Sequence, residues 1–574
     1  MNNNINEKLQ FSKYRSGMLT NGIERSAHRA LLYSTGLETS DFKKPLVAIV
    51  NSFTEMVPGH IHLKELADFV KQGVIEAGGV PREFSTIALC DGICQGHKGM
   101  SYPLPSRELI ADSIEMMIEA HHFDAMVMLP GCDKIVPGML MAAARLNIPT
   151  IMVPAGPMMA GKYKDKDVIT LTDMREFIGQ TQTGKMTEEE LMEIEKIALP
   201  TYGTCAMLGT ANSMCCLAEI LGMGLAGSGT ALAVSSERRR LAKQSGRRVV
   251  ELIEENITAK KVLTREALLN GISATMAMGA STNTVLHLMA IANEAGVELT
   301  LDDFDKISKE VPYICNIKPS GKYPLSAVHE NGGIPVILKA IESKLHKEHL
   351  TVTGKTIVEN ISDIKVVEND ILYPLSEPKN KEGGIAILYG SLAPNGAVVK
   401  KSGVKPSMYY FEGRARVFNS MEEASFAVSN DKINKGDIIV TRYEGPKGGP
   451  GMREMHMTTS LIVGRGMDES CALVTDGRFS GSTRGPCIGH ISPEAAAGGP
   501  IAAVEDGDKI IIDIINRKLD LCVPQEEIER RLKNIKHIYK DRTPSLAKYA
   551  KMVTSADKGA IIEIDEDNTA STRV

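Results

Sequence analysis

Short apolar runs alternate with longer amphipathic stretches through the first third of the chain. KPLVAIV (44–50) has the length and residue types of a buried strand, and IHLKELADFVKQGVIEAGG (61–79) repeats apolar positions at helical spacing before a Gly-Gly stop. The same order recurs twice. FSTIAL (84–89) precedes the amphipathic SRELIADSIEMMIEAHH (106–122), and FDAMVML (123–129) precedes MLMAAARLN (139–147) and a further strand in PTIMVPA (149–155). Strand–helix units in series predict a parallel sheet covered by helices. Residues 200–224 start as a Gly/Thr loop carrying Cys205 and become a helix, and 264–300 read as more helix. From about residue 350 the pattern changes to short β-rich runs: GGIAILYG, GAVVKKSG, RARVF, GDIIVTRY, CALVTDG and DKIIIDIINRKLDLCV, spaced by Gly, Asn and Asp turns. That spacing predicts a β-barrel or sandwich. The charged stretch VENISDIKVVENDI (358–371) places the boundary, giving an α/β domain over 1–365 and a β-barrel domain over 366–574, with DEDNTASTRV as a frayed tail.

Composition narrows the partners. A chain of 574 residues exceeds what one core organises, which agrees with two domains. The formal net charge of −5 supplies no basic field for nucleic acid or anionic lipid, so a small molecule is the expected partner. The polar start MNNNINEKLQFSKYRSG lacks the apolar core of a secretory signal, and no run approaches the roughly 20 apolar residues that span a bilayer, so a cytoplasmic location without a membrane is expected. Ten cysteines, two of them adjacent at Cys215 and Cys216, read as reduced thiols rather than as a disulfide framework.

The chemistry concentrates in the loops after the strands, where an open α/β sheet collects its ligands. LPGCDKIVPG (129–138) sets Cys132, Asp133 and Lys134 side by side, and Asp91 lies in the equivalent loop one unit earlier. Taken alone, the triplet also reads as a buried thiol, a capping carboxylate and a solvated amine. Two acidic loop residues suit a hard cation such as Mg²⁺. Cys132 and Cys205 are too far apart for a local zinc motif, but thiols from separate loops are compatible with an iron–sulfur cluster. In the second domain, RYEGPKGGPGMREM (442–455) carries Glu444 and Glu454, and TDGRFSGSTRGPCIGH (475–490) carries Ser480, Ser482 and Thr483. Both resemble phosphate cradles but lack the GK[ST] ending of a P-loop. The literal GxGxxG at Gly222, Gly224 and Gly227 follows a helix, which makes it a helix stop and turn. His287 falls on an apolar helical face and reads as core.

Longer motifs carry a resemblance. DGICQGHKGMSYPLPSRELIADS, GCDKIVPGMLMAAARLNIPTIMVPAGPM, GTANSM, GASTNTVLHL, IKPSGKY, YEGPKGGPGMREM, TDGRFSG and TSADKGA resemble the dihydroxy-acid dehydratases, within the wider family that includes phosphogluconate and sugar-acid dehydratases. The match runs from KYRSG to TSADKGA. The resemblance implies loss of water from a 2,3-dihydroxy carboxylate to give a 2-keto acid, late in valine and isoleucine synthesis, by a homodimer. It gives Cys132 and Cys205 to an iron–sulfur cluster and Asp91, Asp133, Lys134 and Glu454 to Mg²⁺, the lysine as a carbamate, and it makes Ser480 the proton acceptor. A Mg²⁺-stabilised enolate and an iron Lewis acid then serve the two ends of one elimination.

One departure concerns the cluster. Relatives with a [2Fe–2S] cluster carry a third cysteine in the first loop, where this chain reads Asn51, Ser52 and Phe53. The NSF form resembles the [4Fe–4S] branch, which is the favoured assignment with [2Fe–2S] as the alternative, and Cys90 and Cys94 remain open as the third ligand. The runner-up activity is a phosphogluconate or sugar-acid dehydratase. From another class, an iron-sensing RNA-binding regulator is disfavoured by the missing basic patch.

Overall fold

The structure is a computed structural model that describes residues 9–182, 184–367, 369–481, 483–535, 538, 540 and 542–563; the expected frayed tail lies outside them. Four parallel strands, β1 (Leu46–Asn51), β2 (Val80–Ser85), β3 (Ala125–Leu129) and β4 (Thr150–Met152), form a sheet in the order β2-β1-β3-β4. Register pairs Asn51 with both Ser85 and Leu129, so the carboxyl ends of three strands finish level. The loops that follow them therefore open at one edge. Strand β2 starts four residues earlier than FSTIAL predicts, because after the buried Val80 the mixed PREFS is intermediate to exposed and apolar counting passes over it.

Burial explains the helices. Val47 to Val50 and Ala125 to Leu129 are fully buried, and Ile135–Leu146 is buried on every side from Ile135 to Ala144, as an apolar helix must be. Helices Leu63–Glu76 and Ser236–Glu254 pack against each other over the sheet. The 264–300 stretch is two helices, Arg265–Met278 and Asn283–Ala295, broken where Gly279 takes φ +63°. A small hairpin, β5 (Gly161–Tyr163) with β6 (Lys166–Ile169), leads into helix Leu171–Gln182. The GxGxxG segment follows the helix Thr210–Ile220 as a turn, with Gly222 and Gly227 at positive φ.

The second sheet is a barrel of eight strands: β7 (Ala386–Leu388), β8 (Ala397–Val399), β9 (Tyr410–Phe418), β10 (Asp437–Thr441), β11 (Ala472–Thr475), β12 (Cys487–Gly489), β13 (Lys509–Asp513) and β14 (Lys518–Leu521). Their order is β14-β13-β9-β10-β11-β12-β8-β7, and the ends meet where Tyr389 bridges Lys518. Strands β9 to β12 run parallel, with helices Met421–Ser429 and His456–Gly464 as crossovers. An all-β reading misses those helices. Alternation sorts the strands: Ile438, Val440 and Ile488 fill the barrel core, while Ile439, Leu473 and Cys487 pack with the crossover helices. Parallel strands again put the functional loops, 442–455 and 476–486, after strand carboxyl ends.

Among the described residues no helix is long and apolar enough to cross a membrane. All ten cysteines are free thiols.

Candidate active site

The loops of the two sheets meet. Gly451, at φ +92°, passes so close to Ser101 that a Cβ would sit 1.9 Å from its carbonyl oxygen, and a Cβ on Gly481 would lie 2.9 Å from the Gly209 Cα. Only glycine permits either approach. Through these contacts Glu454 and Ser480 arrive at the loops of the first sheet.

Carboxylate oxygens of Asp91, Asp133 and Glu454 lie within 4.8 Å of one another. Asp91 and Glu454 are almost fully buried. Two cations share the cluster: Lys134 Nζ donates to Asp91 Oδ2 at 3.0 Å, and Arg478 donates to Asp91 at 3.1 Å and also to Glu454. Gln95 Nε2 (2.7 Å) and Asn283 Nδ2 (3.2 Å) complete the donors on Glu454. Burial, with the neighbouring Asp91 and Glu454 charges, pushes Asp133 up to about 8. Asp91 Oδ1 is buried with no hydrogen-bond partner. Crowded carboxylates, one held towards its neutral form, and an orphaned acceptor are what a divalent cation would relieve, so the donor set fits Mg²⁺. The unmodified Lys134 amine is a donor here, so it joins such a ligand set only once modified.

Cys132 precedes Asp133, and its amide donates to His60 Nε2 at 2.8 Å. His60 in turn directs Nδ1–H to the Ser52 carbonyl at 2.8 Å and stays neutral, since burial holds it down to about 4. The Cys132 thiol hydrogen-bonds the Cys90 thiol, which lets Cys90 ionise below its ordinary value and holds Cys132 above it. Cys205 is the third sulfur within electrostatic reach of both, and burial raises it to about 12. Soft donors from three loops fit an iron–sulfur cluster. Cys215 and Cys216 are core thiols that donate to the Gly131 and Gly229 carbonyls.

Ser480 is buried between two fixed neighbours. Asn283 Nδ2 donates to the Phe479 carbonyl at 3.1 Å, and Lys400 Nζ donates to the Gly481 carbonyl at 2.7 Å. Ser482 lies outside the described residues. A cavity of about 280 Å³ is lined in part by Thr172, Arg175, Glu176, His456, Thr483 and Arg484, with none of the three carboxylates in its wall. Arg175 connects it to the site by bonding Gln95.

The glycine loops are not phosphate cradles. Asp476 accepts the amides of Tyr443, Glu444 and Ala495, and Glu494 accepts those of Lys447 and Gly448, so these donors are already engaged. Glu444 pairs with Arg453 and Lys540, away from the metal set. His287 is buried beside Arg107, as its apolar face predicts.

Two family models cover the chain: Dihydroxy-acid/6-phosphogluconate dehydratase N-terminal over residues 44–360, and the C-terminal model of the same name over 370–560. The chain belongs to this family. It is therefore a hydro-lyase. Proteins named dihydroxy-acid dehydratase from Caldanaerobacter subterraneus subsp. tengcongensis and Acetivibrio thermocellus are 53% and 52% identical to it, covering 95% and 96% of this chain and 99% and 100% of the relative. The one from Methanobrevibacter smithii is 51% identical over 96% of this chain and its own full length.

Other residues, left without a role by the sequence, surround the candidate site. Arg478 lies inside the quoted TDGRFSG and Asn283 inside GASTNTVLHL, so both were visible as motif letters. Gln95 likewise lies inside the quoted DGICQGHKGM, whereas Arg175, His456 and Lys400 carried no comparable signal, because their positions depend on how the two sheets meet.

Proposed function

We propose that the protein dehydrates 2,3-dihydroxyisovalerate and 2,3-dihydroxy-3-methylvalerate to the corresponding 2-keto acids, as a step towards valine and isoleucine, working as a cytoplasmic homodimer. The observation that carries this reading is the adjacency of a hard donor set (Asp91, Asp133, Glu454) and a soft one (Cys132, with Cys90 and Cys205), joined at the Cys132–Asp133 peptide, with Asn283 bonded to both Glu454 and the Phe479 carbonyl that precedes Ser480. When bound, Mg²⁺ and an iron–sulfur cluster supply Lewis acidity to the two ends of the elimination.

Asp91, Asp133 and Glu454 hold the Mg²⁺, with Lys134 as an oxygen donor once carbamylated. Arg478 lies between Asp91 and Glu454 and offsets their charge, which fixes both carboxylates before substrate arrives. Ser480, as the alkoxide, takes the C2 proton. The C2–H electron pair becomes the C2=C3 bond while the C3–O bond breaks, and the departing hydroxide leaves as water with the proton returned by Ser480. The enol then moves its hydroxyl proton to C3, which leaves the 2-keto acid. Asn283 and Lys400 brace the backbone on either side of Ser480, so its oxygen meets C2 without reorganisation. The cavity lined by Arg175 and Arg484 offers cationic side chains to an anionic, short-chained substrate on its way to the carboxylates, which Arg175 reaches through Gln95.

A Mg²⁺ titration tests this. Turnover that requires Mg²⁺ and is lost in Glu454→Gln, with iron and sulfide per chain unchanged, supports the reading. Turnover indifferent to both contradicts it.

A further inference from the structure

The cluster's third thiolate has no donor in the first loop, and the geometry explains why. Phe53 packs against the core of the α/β region. The first-loop residue that faces Cys132 is Gly59: a Cβ built on it would lie 3.2 Å from Cys132 Sγ and 3.3 Å from Thr204 Cγ2. The first loop thus reaches the thiol with bare backbone. The second loop does the opposite. Cys90 sits directly before Asp91, and Asp91 bonds Lys134 at 3.0 Å and lies within 4.8 Å of Asp133, the residue after Cys132, so the second loop brings its thiol to the side of Cys132. Cys205 lies within electrostatic reach of the pair. Cys94 is one short turn further on, its amide bonded to the Cys90 carbonyl at 3.1 Å, and its electrostatic neighbours are Asp91 and Cys90.

We infer that Cys90 is the third cluster ligand, and that Cys90, Cys132 and Cys205 bind as thiolates to three irons of a four-iron cluster. The three thiol protons go to solvent on assembly. A fourth iron would then have no protein sulfur from these loops. The assignment makes the Cys90–Asp91 pair a second copy of the Cys132–Asp133 arrangement: in each loop one residue serves the soft site and its neighbour the hard one. This inference rests on the iron–sulfur reading of the site.

The test is anaerobic reconstitution of the full chain with iron and sulfide, followed by iron and sulfide counting and Mössbauer spectroscopy on wild type, Cys90→Ser and Cys94→Ser. Wild type is expected to hold about four irons and Cys90→Ser to lose at least about half of them or shift its spectrum, while Cys94→Ser matches wild type. As a control on folding, alkylation and mass spectrometry of unmutated protein should show Cys90 labelled in the apo form and protected with Cys205 in the reconstituted form. Full, spectroscopically unchanged loading of Cys90→Ser, or labelling of Cys90 in loaded wild type, overturns the inference. Wild type that assembles no cluster at all overturns the iron–sulfur reading itself.

Discussion

At the scale of single residues, most of the site is a problem of buried charge. Three carboxylates sit together, Asp91 and Glu454 buried and Asp133 partly so, and the chain keeps them there with Lys134 and Arg478. In the proposed mechanism Ser480 carries the proton transfer, so Ser480→Ala is expected to lower kcat by on the order of 10³-fold while iron, sulfide and Mg²⁺ content stay at wild-type levels. A variant with near-normal turnover would remove the serine from the mechanism. The sequence already exposed Asp91, Cys132, Asp133, Lys134, Glu454 and Ser480, because each stands in a glycine-rich loop after a strand. It showed Gln95 as a motif letter but not its pairing with Glu454, and it hid Lys400, whose partner Gly481 is tens of residues away. It also misdirected attention to Phe53, since a motif read by position cannot show which backbone faces a thiol.

At the scale of elements, the decisive feature is the approach of the 476–486 loop to the helix Thr210–Ile220. Gly481→Ala must push Gly209 away, and kcat is expected to fall by about tenfold or more with cluster content unchanged. Wild-type kinetics would mean the loop has slack. Lys400, just after β8, braces the same loop from the barrel side, and burial pulls its amine down to about 7. The unfolded chain would bind that proton up to about pH 10.5, so the penalty is fully present below pH 7 and is lifted as pH rises from 7 to 10.5. Relative to Lys400→Met, wild type should gain stability across that window in urea titrations, while the variant loses kcat because Gly481 is no longer held. A pH-independent difference would contradict a neutral buried amine. Helices and first-sheet strands were legible here because their apolar periodicity is local. The crossovers Met421–Ser429 and His456–Gly464 were not, since both sit among short β-rich runs and their burial is shared between barrel strands and their own partner helix.

At the scale of the whole molecule, two sheets with their strand carboxyl ends turned towards each other make one site, and neither contains it alone. The barrel was foreseeable from strand spacing; its closure through Tyr389 and Lys518 was not, because a single bridge leaves no trace in periodicity. Long-range cost also appears in buried histidines. His349 is held down to about 4 by burial, so the unfolded chain takes up a proton that the folded chain refuses between pH 6.5 and 4. Relative to His349→Gln, wild type should lose stability as pH falls through that range, by about 3 kcal/mol at most, read from denaturant midpoints. An unchanged difference would show the imidazole is charged in the fold. The account as a whole stands on substrate. The most direct measurement is 2-keto acid formation by anaerobically reconstituted, Mg²⁺-loaded protein offered 2,3-dihydroxyisovalerate, 6-phosphogluconate and a six-carbon sugar acid in parallel. Preferred turnover of 2,3-dihydroxyisovalerate is the predicted result, and preference for the phosphorylated or sugar acid would contradict it.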